Sequence, residues 1–412
     1  GLSAALHLAE QGVACRLLEA GAVGAGASGR NNGQVIPGLK LGPDDLERRY
    51  GDDGAAVVET AAGAADLVFG LIERHGIDCE AERRGWVRAA HAATAMPPIE
   101  RLAGQGQARG APVEPLDRQG IRDALGSDSY IGGLIDRRAG RLQPLAYRRG
   151  LARAAAKAGA VIHQQSPVTA LSRQGGQWKI ETPRGSLTAE QVILATGVYD
   201  ERLWPGWSRG FLAVHAMQIA SEPLSDNLRN SVLPGASAMS DTRKLANALR
   251  LDAAGRIVIS GRGPLSGRMT GGVHRQLVRA VSRLFPQIGP QRWSHFWSGR
   301  IGITLDELPR LTSLAPGLYA MAGFNGRGVA MATALGKAAA RHASGQAAGF
   351  PLVEARAVPF HGLRKPLLGA AVSYYRVRDA LGLASREAPR RLRRGQLPRR
   401  RPRRHRCGTY AW

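Results

Sequence analysis

The sequence is poor in cysteine, in aromatic residues and in long apolar runs. The three cysteines among 412 residues are Cys15, Cys79 and Cys407, and their spacing forms no CxxC pair. Neither a disulfide framework nor a zinc site is therefore indicated, and we expect a reducing, cytoplasmic compartment. No apolar run reaches the ~18 residues that a membrane-spanning helix requires, so no integral membrane segment is predicted.

Acidic residues are also scarce relative to basic ones. The chain has 57 Lys and Arg against 32 Asp and Glu, which gives a formal net charge of +25. Residues 385–412 contain eleven arginines and one acid, Glu387, which leaves +15 for the rest. A basic nucleic-acid-binding protein is one interpretation of this charge. Because the body contains no nucleic-acid motif, we expect a disordered Arg-rich tail and no nucleic-acid partner.

Apolar periodicity predicts alternating helices and strands near both ends of the chain, with strand-rich segments between them. The alternating pieces are predicted at 1–12, 13–19, 145–158, 160–163, 191–195, 318–322 and 328–342. The intervening pieces are a long helix at 55–75 and strands at 86–90, 177–182, 186–189, 217–220 and 256–259. This order predicts an α/β unit with a parallel sheet and a second, β-rich domain interleaved with it.

The chain opens with half of a dinucleotide-binding motif. In such folds a G-x-G-x-x-G turn joins the first strand to a helix, and an acid about 20 residues later bonds a ribose hydroxyl. Gly1 fits the last glycine because it begins the predicted helix, and Glu19 ends the next strand. The first strand and the other glycines would lie upstream, so we expect this chain to hold the cofactor weakly. The alternative is an ordinary helix start and a surface acid.

Several motifs occur in an order that resembles one flavoprotein family. They are GASGRNNGQ at 26–34, GGLID at 132–136, GRLQP at 140–144, ATG at 195–197, GRIGITLDELP at 299–309 and GLYAMAGFNGRGV at 317–329. Over about residues 1–382 the sequence resembles the FAD-dependent oxidoreductases of the D-amino-acid oxidase and glycine oxidase superfamily. Within that superfamily it is most similar to proteins of the gamma-glutamylputrescine oxidoreductase type.

The resemblance implies an α/β fold in which a Rossmann-type FAD-binding domain is interleaved with a β-rich α+β substrate domain. We expect residues 1–50, 132–200 and 297–384 to form the FAD-binding domain. The substrate domain would then comprise residues 51–131 and 201–296.

The same resemblance implies non-covalently bound FAD and a set of small and polar contacts. The 26–34 segment would form a loop over the pyrophosphate and the flavin ring, with Asn32 where family members commonly have glycine. A glycine-rich turn before the last helix would bring a helix N-terminus to the flavin. The expected FAD contacts are Gly1, Glu19, Ala20, Ser28, Gly29, Arg30, Asn31, Gly33, Gln34, Val168, Thr196, Gly197, Thr304, Gly323, Asn325, Gly326, Arg327 and Gly328.

The activity implied by the resemblance is oxidation of a C–N bond in a small amine or amino acid. A neutral amine held beside flavin N5 transfers a hydride without a catalytic triad, and the imine then hydrolyses in water. Arg300 is expected as a carboxylate clamp and His215 as a second catalytic residue. Oxygen or another acceptor would reoxidise the flavin, and no metal is expected.

A flavin-dependent dehydrogenase of a 2-hydroxy acid or polyol phosphate is the second open interpretation. Such enzymes share the half-motif and the α/β plan. The loop at 26–34 and the turn at 323–328 favour amine chemistry.

The first testable prediction concerns how the cofactor is attached. Asn31 and Asn32 stand in the loop where some relatives use histidine for a covalent link. We expect acid precipitation of the FAD-loaded protein to release all flavin into the supernatant. Flavin absorbance retained in the washed pellet would contradict non-covalent binding.

Overall fold

A computed structural model describes residues 1–199 and 202–383. The α-helices are α1 Leu2–Glu10, α2 Ala27–Arg30, α3 Pro43–Tyr50, α4 Gly54–Ala62, α5 Ala64–Arg74, α6 Met96–Gln107, α7 Arg118–Leu125, α8 Pro144–Lys157, α9 Asp226–Ser231, α10 Gly271–Leu284, α11 Gly328–Ala343 and α12 Arg364–Ala380. The Arg-rich tail predicted at 385–412 lies outside the described residues.

The strands follow the same chain order and fall into one large sheet and several small ones. They are β1 Arg16–Leu18, β2 Gln34–Val35, β3 Trp86–Ala89, β4 Val113–Leu116, β5 Gly133–Asp136, β6 Gly140–Arg141, β7 Val161–His163, β8 Ala170–Gln174, β9 Gln177–Thr182, β10 Gly185–Ala189, β11 Val192–Leu194, β12 Leu212–Ser221, β13 Ala238–Asp241, β14 Ala248–Leu251, β15 Ile257–Arg262, β16 Trp293–Ile303, β17 Arg310–Ala315 and β18 Leu318–Ala322.

The two ends of the described chain pack together around a helical layer. α1, α8 and α11 contribute to one core, in which Leu6 and Leu335 are fully buried. Ser3 of α1 donates a 2.6 Å hydrogen bond to the main-chain oxygen of Thr333 in α11. A Cβ built on Gly336 would lie 2.8 Å from Cβ of Ser3, so a larger residue there would force the helices apart.

Parallel strands accompany these helices, as the α/β prediction requires. β1 pairs in parallel with β7, and β11 pairs in parallel with β18, which β17 extends on its other side. The predicted hairpin forms as β9 and β10, and β8 completes a separate three-stranded sheet. The mixed α/β fold class is therefore confirmed.

The largest sheet has eight strands in the order β16-β12-β15-β14-β13-β3-β5-β4. All neighbours are antiparallel except β13 and β3. Successive side chains of a strand point to opposite faces, so pairing register assigns each residue to a face. Met217, Ile219 and Ile259 lie on one face, which we call the core face, and are buried against α7 and α10.

The opposite face, which we call the loop face, carries polar and small side chains. Across the register, Trp297, Gln218 and Ser260 form one row, and Gly299, Ala216 and Arg262 form the next. The 26–34 loop lies on this face, since a Cβ built on Gly299 would be 3.6 Å from Cβ of Arg30. The sheet therefore separates a dry core from the side that faces the loop.

The single helix predicted at 55–75 is wrong. The chain forms α4 and α5 instead, and they are separated at Gly63. Glycine has low helix propensity because the helix fixes a backbone that is otherwise very free. Apolar periodicity continues across the break, so the sequence pattern does not indicate that the helix is interrupted at Gly63.

Some elements pack with partners from the other side of the expected domain boundaries. β5 lies in the eight-stranded sheet, although residues 132–200 were expected in the FAD-binding domain. β16 lies in the same sheet, although most of its residues follow position 297, where the FAD-binding domain was expected to resume. Conversely, α4 and α5 belong to the core shared by α1 and α11, although 51–131 was assigned to the substrate domain. The chain crosses between the two layers more often than motif positions indicate, and the two-domain division itself stays a prediction.

Within the described residues, no single helix is both long and apolar enough to cross a membrane. Pro43–Ala62 and Ala64–Arg74 meet the length and composition requirements only as a pair, across a 44° bend. Val57, Val68 and Leu71 of this pair are fully buried in the core.

Close packing of α1 on α11 yields a stability prediction. We expect Gly336→Ala to lower the free energy of unfolding by about 1–3 kcal/mol, because its methyl group overlaps Ser3. Gly70→Ala is the matched control, since a Cβ at this α5 position meets no atom within 4 Å. That change should stabilise the helix by about 0.5–1 kcal/mol. Urea unfolding of both FAD-loaded variants checks the pair, and equal effects would refute the packing argument.

Candidate cofactor and substrate site

A cleft of about 3000 Å³ lies between the helical layer, the 26–34 loop and the loop face of the large sheet. Every FAD contact expected from the sequence lines it except Gly29. A Cβ at Gly29 would overlap the main-chain oxygen of Gly24, so this glycine permits close packing inside the loop. The cleft thus brings together residues from four separate parts of the sequence.

The 26–34 loop is held in shape by Asn31. Its Nδ2 donates to the main-chain oxygens of Ala27 and Ser28 at 3.2 and 2.7 Å. Its Oδ1 accepts a 2.9 Å hydrogen bond from the Gly33 amide. Gly33 has φ +81°, and a Cβ there would overlap the carbonyl of Leu142. The Asn31 side chain therefore stabilises the loop rather than projecting into the cleft as a free polar group.

Main-chain oxygens of the loop bind side chains of the sheet. The Arg30 oxygen accepts hydrogen bonds from Gln218 Nε2 and, at 3.0 Å, from Trp297 Nε1. The Asn32 oxygen accepts from Arg250 Nε. These bonds fix the height of the loop above the sheet.

Gln34 adds a buried anchor at the end of the same loop. Its Nε2 donates to the main-chain oxygen of Met239 at 2.8 Å, and its Oε1 accepts a 2.9 Å bond from Ser240 Oγ. The side chain is thus used to join the loop to β13, while its main chain borders the cleft.

Two helix N-termini open into the cleft. Gly1 precedes α1 and lies between the ends of β1 and β11, with a built Cβ 3.7 Å from Leu17 and 3.4 Å from Ala195. The first turn of α11 also lines the cleft, and its cap residue Arg327 makes no side-chain capping bond. Free amides and the helix dipole at such ends favour negative charge.

A buried pair couples the end of β16 to the turn before α11. Asn325 Oδ1 accepts a 2.9 Å hydrogen bond from the Thr304 amide, and Asn325 Nδ2 donates to the Gly323 oxygen at 2.6 Å. Thr304 Oγ1 in turn donates to the Leu308 oxygen at 2.8 Å. Asn325 holds a positive φ of 53°, which asparagine tolerates better than most residues. The turn is therefore positioned by the sheet strand.

Positive charge collects beside this turn. Burial, and then neighbouring Arg88, lower the pKa of Arg327 to about 9, although the guanidinium donates to the Pro37 oxygen at 2.6 Å. Glu307 bonds Lys40 at 3.4 Å and Lys244 at 3.3 Å. Burial opposes ionisation of Glu307, but the two lysines outweigh it and lower its pKa. Cations outnumber acids here, so this end of the cleft attracts anions.

His215 and Arg300 lie directly opposite each other on β12 and β16 and border the cleft. Alternation places both on the core face. A Cβ at Gly267 would meet the His215 ring, and the Arg300 guanidinium stacks 4.4 Å from the Tyr199 ring centre. Burial and then the charge of Arg300 lower the pKa of His215. Their expected catalytic roles stay predictions.

Sequence reasoning missed three residues that border the cleft. Arg148 of α8 is buried, and its Nε has no hydrogen-bond partner within the described structure. No sequence pattern points to Tyr199 as a site residue. Its hydroxyl nevertheless accepts a 3.0 Å hydrogen bond from the Arg300 amide. Arg262 ends β15 on the loop face. Counting alternate residues from buried Ile257 predicts the face of Arg262. The positions of Arg148 and Tyr199 depend on tertiary packing.

Comparison with known proteins agrees with this geometry. A family model described as FAD dependent oxidoreductase, DAO, matches residues 1–342. The chain belongs to this family. It is 30% identical over 390 residues to the gamma-glutamylputrescine oxidoreductase of Escherichia coli, covering 93% of this chain and 91% of the relative. A probable oxidoreductase, OrdL, of Haemophilus influenzae is 30% identical over 373 residues, or 89% of this chain and 84% of the relative.

Solved structures show the same fold. Glycine oxidase from Geobacillus kaustophilus superposes with a TM-score of 0.71 at 21% identity, over 87% of this chain and 95% of that one. The family assignment and the FAD-dependent oxidoreductase class predicted from the motifs are thus confirmed.

The cleft residues fit FAD. The α1 N-terminus and buried Arg148, with its unpartnered Nε, suit a pyrophosphate, and Glu19 follows β1 where a ribose is bonded in such folds. The 26–34 loop and the α11 N-terminus would hold the isoalloxazine ring. Bound there, FAD supplies a two-electron acceptor.

The Thr304–Asn325 pair generates a test of how the turn is held. We expect Asn325→Ala to leave the Thr304 amide unpaired, lowering the unfolding free energy by about 1–3 kcal/mol and weakening FAD retention. Asn325→Gly relieves the positive φ but restores no hydrogen bond, so it should also lose FAD. Urea unfolding and fluorescence of released flavin measure both effects. Full FAD retention in Asn325→Gly would show that only backbone conformation matters.

Proposed function

We propose that this chain oxidises the C–N bond of a small primary or secondary amine or amino acid. The amine carbon loses a hydride and the nitrogen a proton, which leaves an imine that water hydrolyses to a carbonyl compound. FAD accepts the hydride. The residues of this chain hold the amine so that its reacting carbon approaches the flavin at one distance and angle.

The observation that carries the proposal is the bonded contact between the 26–34 loop and the large sheet. Gln218 and Trp297 hold the Arg30 oxygen, so the space between loop and sheet has a fixed height. A hydride transfers efficiently only from a donor carbon held close to its acceptor at a fixed angle. The cleft floor supports this function because it is rigid and bonded rather than lined by mobile loops.

The two rows of the cleft floor nearest the loop offer neither a carboxylate nor an imidazole to the substrate, since His215 projects from the other face of β12. Those rows consist of Trp297, Gln218 and Ser260, and of Gly299, Ala216 and Arg262. A hydroxy acid needs a base to remove its hydroxyl proton, with a pKa near the working pH. A free amine needs no such base for hydride loss. This difference favours amine oxidation over the alternative of hydroxy-acid or polyol-phosphate oxidation.

The names of the relatives support the same class of substrate. They describe enzymes of gamma-glutamylputrescine and of glycine. We propose that the electron acceptor reaches the flavin through the same cleft. A peroxide assay during turnover distinguishes oxygen from another carrier.

A substrate panel tests the proposed function. The FAD-loaded protein is mixed anaerobically with amines, amino acids, 2-hydroxy acids and glycerol phosphate, and loss of flavin absorbance is followed. We expect bleaching by amines or amino acids alone. Bleaching by a hydroxy acid or polyol phosphate but by no amine would overturn the proposal.

The same reaction has an expected pH dependence. Flavin reduction should rise with pH and level off, because only the neutral amine loses a hydride. Nearby cations such as Arg262 and Arg88 disfavour a second positive charge, so the midpoint should lie below the pKa of the free amine. Stopped-flow reduction between pH 6 and pH 10 measures the midpoint. A rate that is independent of pH would contradict this mechanism.

A further inference from the structure

The last helix, α12, exposes a stripe of apolar residues. No residue of this 17-residue helix is buried. Apolar residues recur along it at alternating spacings of three and four, and this spacing places them on one side of a helix. We call this side the outer stripe, and its members are Leu363, Leu367, Ala370, Tyr374, Val377 and Leu381. Each member except Ala370 is a large residue that is more than half exposed.

The opposite side of α12 holds the helix against the body of the protein. Asp379 accepts hydrogen bonds from the main-chain amides of Lys244 and Leu245 at 3.1 and 3.0 Å. Just beyond the helix, Thr94 Oγ1 donates a 2.7 Å hydrogen bond to the Gly382 oxygen. Three side chains of this inner side border the cleft, and they are Leu368, Ala371 and Tyr375. The attachment fixes which side of α12 points outward, so the outer stripe stays in solvent.

Phe360 enlarges the apolar surface just before α12. It is 78% exposed, and its φ of 54° lies in the left-handed region that favours glycine. A bulky residue is unfavourable in this conformation, and an aromatic ring in water gains nothing from the protein core. The ring would therefore gain burial only from a surface outside the described chain.

Basic residues flank the outer stripe. Helical spacing places Arg378 on one side of it and Arg376 on the other, and the Arg378 guanidinium lies 5.6 Å from the Tyr374 ring centre. The helix carries four cations and a single acid, Asp379. The eleven arginines of residues 385–412 follow it in the sequence. A partner that covers the stripe must therefore tolerate a high density of positive charge.

An anionic lipid membrane fits both the stripe and the charge. Its acyl region accepts apolar side chains, while its headgroups attract lysine and arginine. A second copy of the chain would bring the same cations together, and residues 385–412 would add more of them. A nucleic acid would match the charge, but it is bound mainly through its phosphates and gives an aliphatic stripe little to pack against.

We infer that α12 is an interfacial helix by which this chain binds the surface of an anionic lipid membrane. The outer stripe lies among the acyl chains, and the flanking cations lie at the headgroups. The binding is peripheral, since α12 lies along the surface and does not cross it. This inference goes beyond the proposed function and does not depend on it. Because the inner side of α12 borders the cleft, the bound protein would hold its cleft close to the membrane.

Vesicle flotation of the FAD-loaded full chain tests the inference. Vesicles of phosphatidylcholine and phosphatidylglycerol in equal parts are compared with vesicles of phosphatidylcholine alone. We expect the wild-type protein to float with the anionic vesicles and to partition at least about 10-fold more weakly into the neutral ones. Leu367→Ser and Val377→Ser should each weaken partitioning into anionic vesicles about 10- to 30-fold, because each removes apolar carbons from the acyl region. Arg376→Gln should weaken it about fivefold.

Leu352→Ser is the matched control. Leu352 is 38% exposed, lies outside α12 and does not line the cleft, so this variant should partition like the wild-type protein. FAD content and urea unfolding should be unchanged in all four variants, because each replaces an exposed side chain. A control that loses as much binding as Leu367→Ser would overturn the inference.

Other outcomes would assign the stripe differently and would also overturn the inference. Wild-type protein that stays out of anionic vesicles would exclude membrane binding. Equal flotation of the wild-type protein and Leu367→Ser would assign the binding to basic residues alone. Lipid-free dimers in light scattering that Leu367→Ser abolishes would assign the stripe to a second copy, and duplex DNA binding that requires Leu367 would assign it to a nucleic acid. Flotation uses no substrate, so its result is independent of whether amines reduce the flavin.

Discussion

Hydrogen bonds from the large sheet to main-chain oxygens of the 26–34 loop are the constraint on which the rest of the site depends. Gln218 and Trp297 both donate to the Arg30 oxygen, and Arg250 donates to the Asn32 oxygen. Main-chain acceptors do not change with side-chain rotamer, so the loop is held at a defined height. The helical layer packs against the same loop from the other side. The cleft is the space left between the helical layer, the loop and the large sheet.

Strand alternation then decides which residues face that space. On β12, Gln218 and Ala216 point toward the loop, while Met217 lies in the core with α10. One residue of register would exchange these sets and bury the polar row. The long pairing of β12 with β16 resists such a shift, because it fixes nine consecutive residue pairs in one register. The same alternation separates Arg262 from His215 and Arg300.

Electrostatics and packing act together at the turn before α11. Asn325 ties this turn to Thr304, and its bonds leave the α11 N-terminus directed at the cleft. Arg327, Lys40 and Lys244 lie beside it, with Glu307 as their main counter-charge. Burial makes each unmatched cation unfavourable in the absence of an anion. A cofactor or substrate that carries negative charge is stabilised in such a site, which is consistent with FAD-dependent amine chemistry.

The sequence by itself determined the α/β class and the family, and nearly all of the FAD contacts expected from it line one cleft, because glycine-rich turns and strand ends carry their geometry locally. It did not reveal the break at Gly63, since both helices keep the same apolar periodicity. It also did not reveal that β5 and β16 belong to the large sheet, because they join it through pairing with distant strands. Only the tertiary structure decided that Arg262 borders the cleft with its Nη2 unpartnered among the described residues. A strand pattern gives two faces, but long-range register and packing assign one of them to the site.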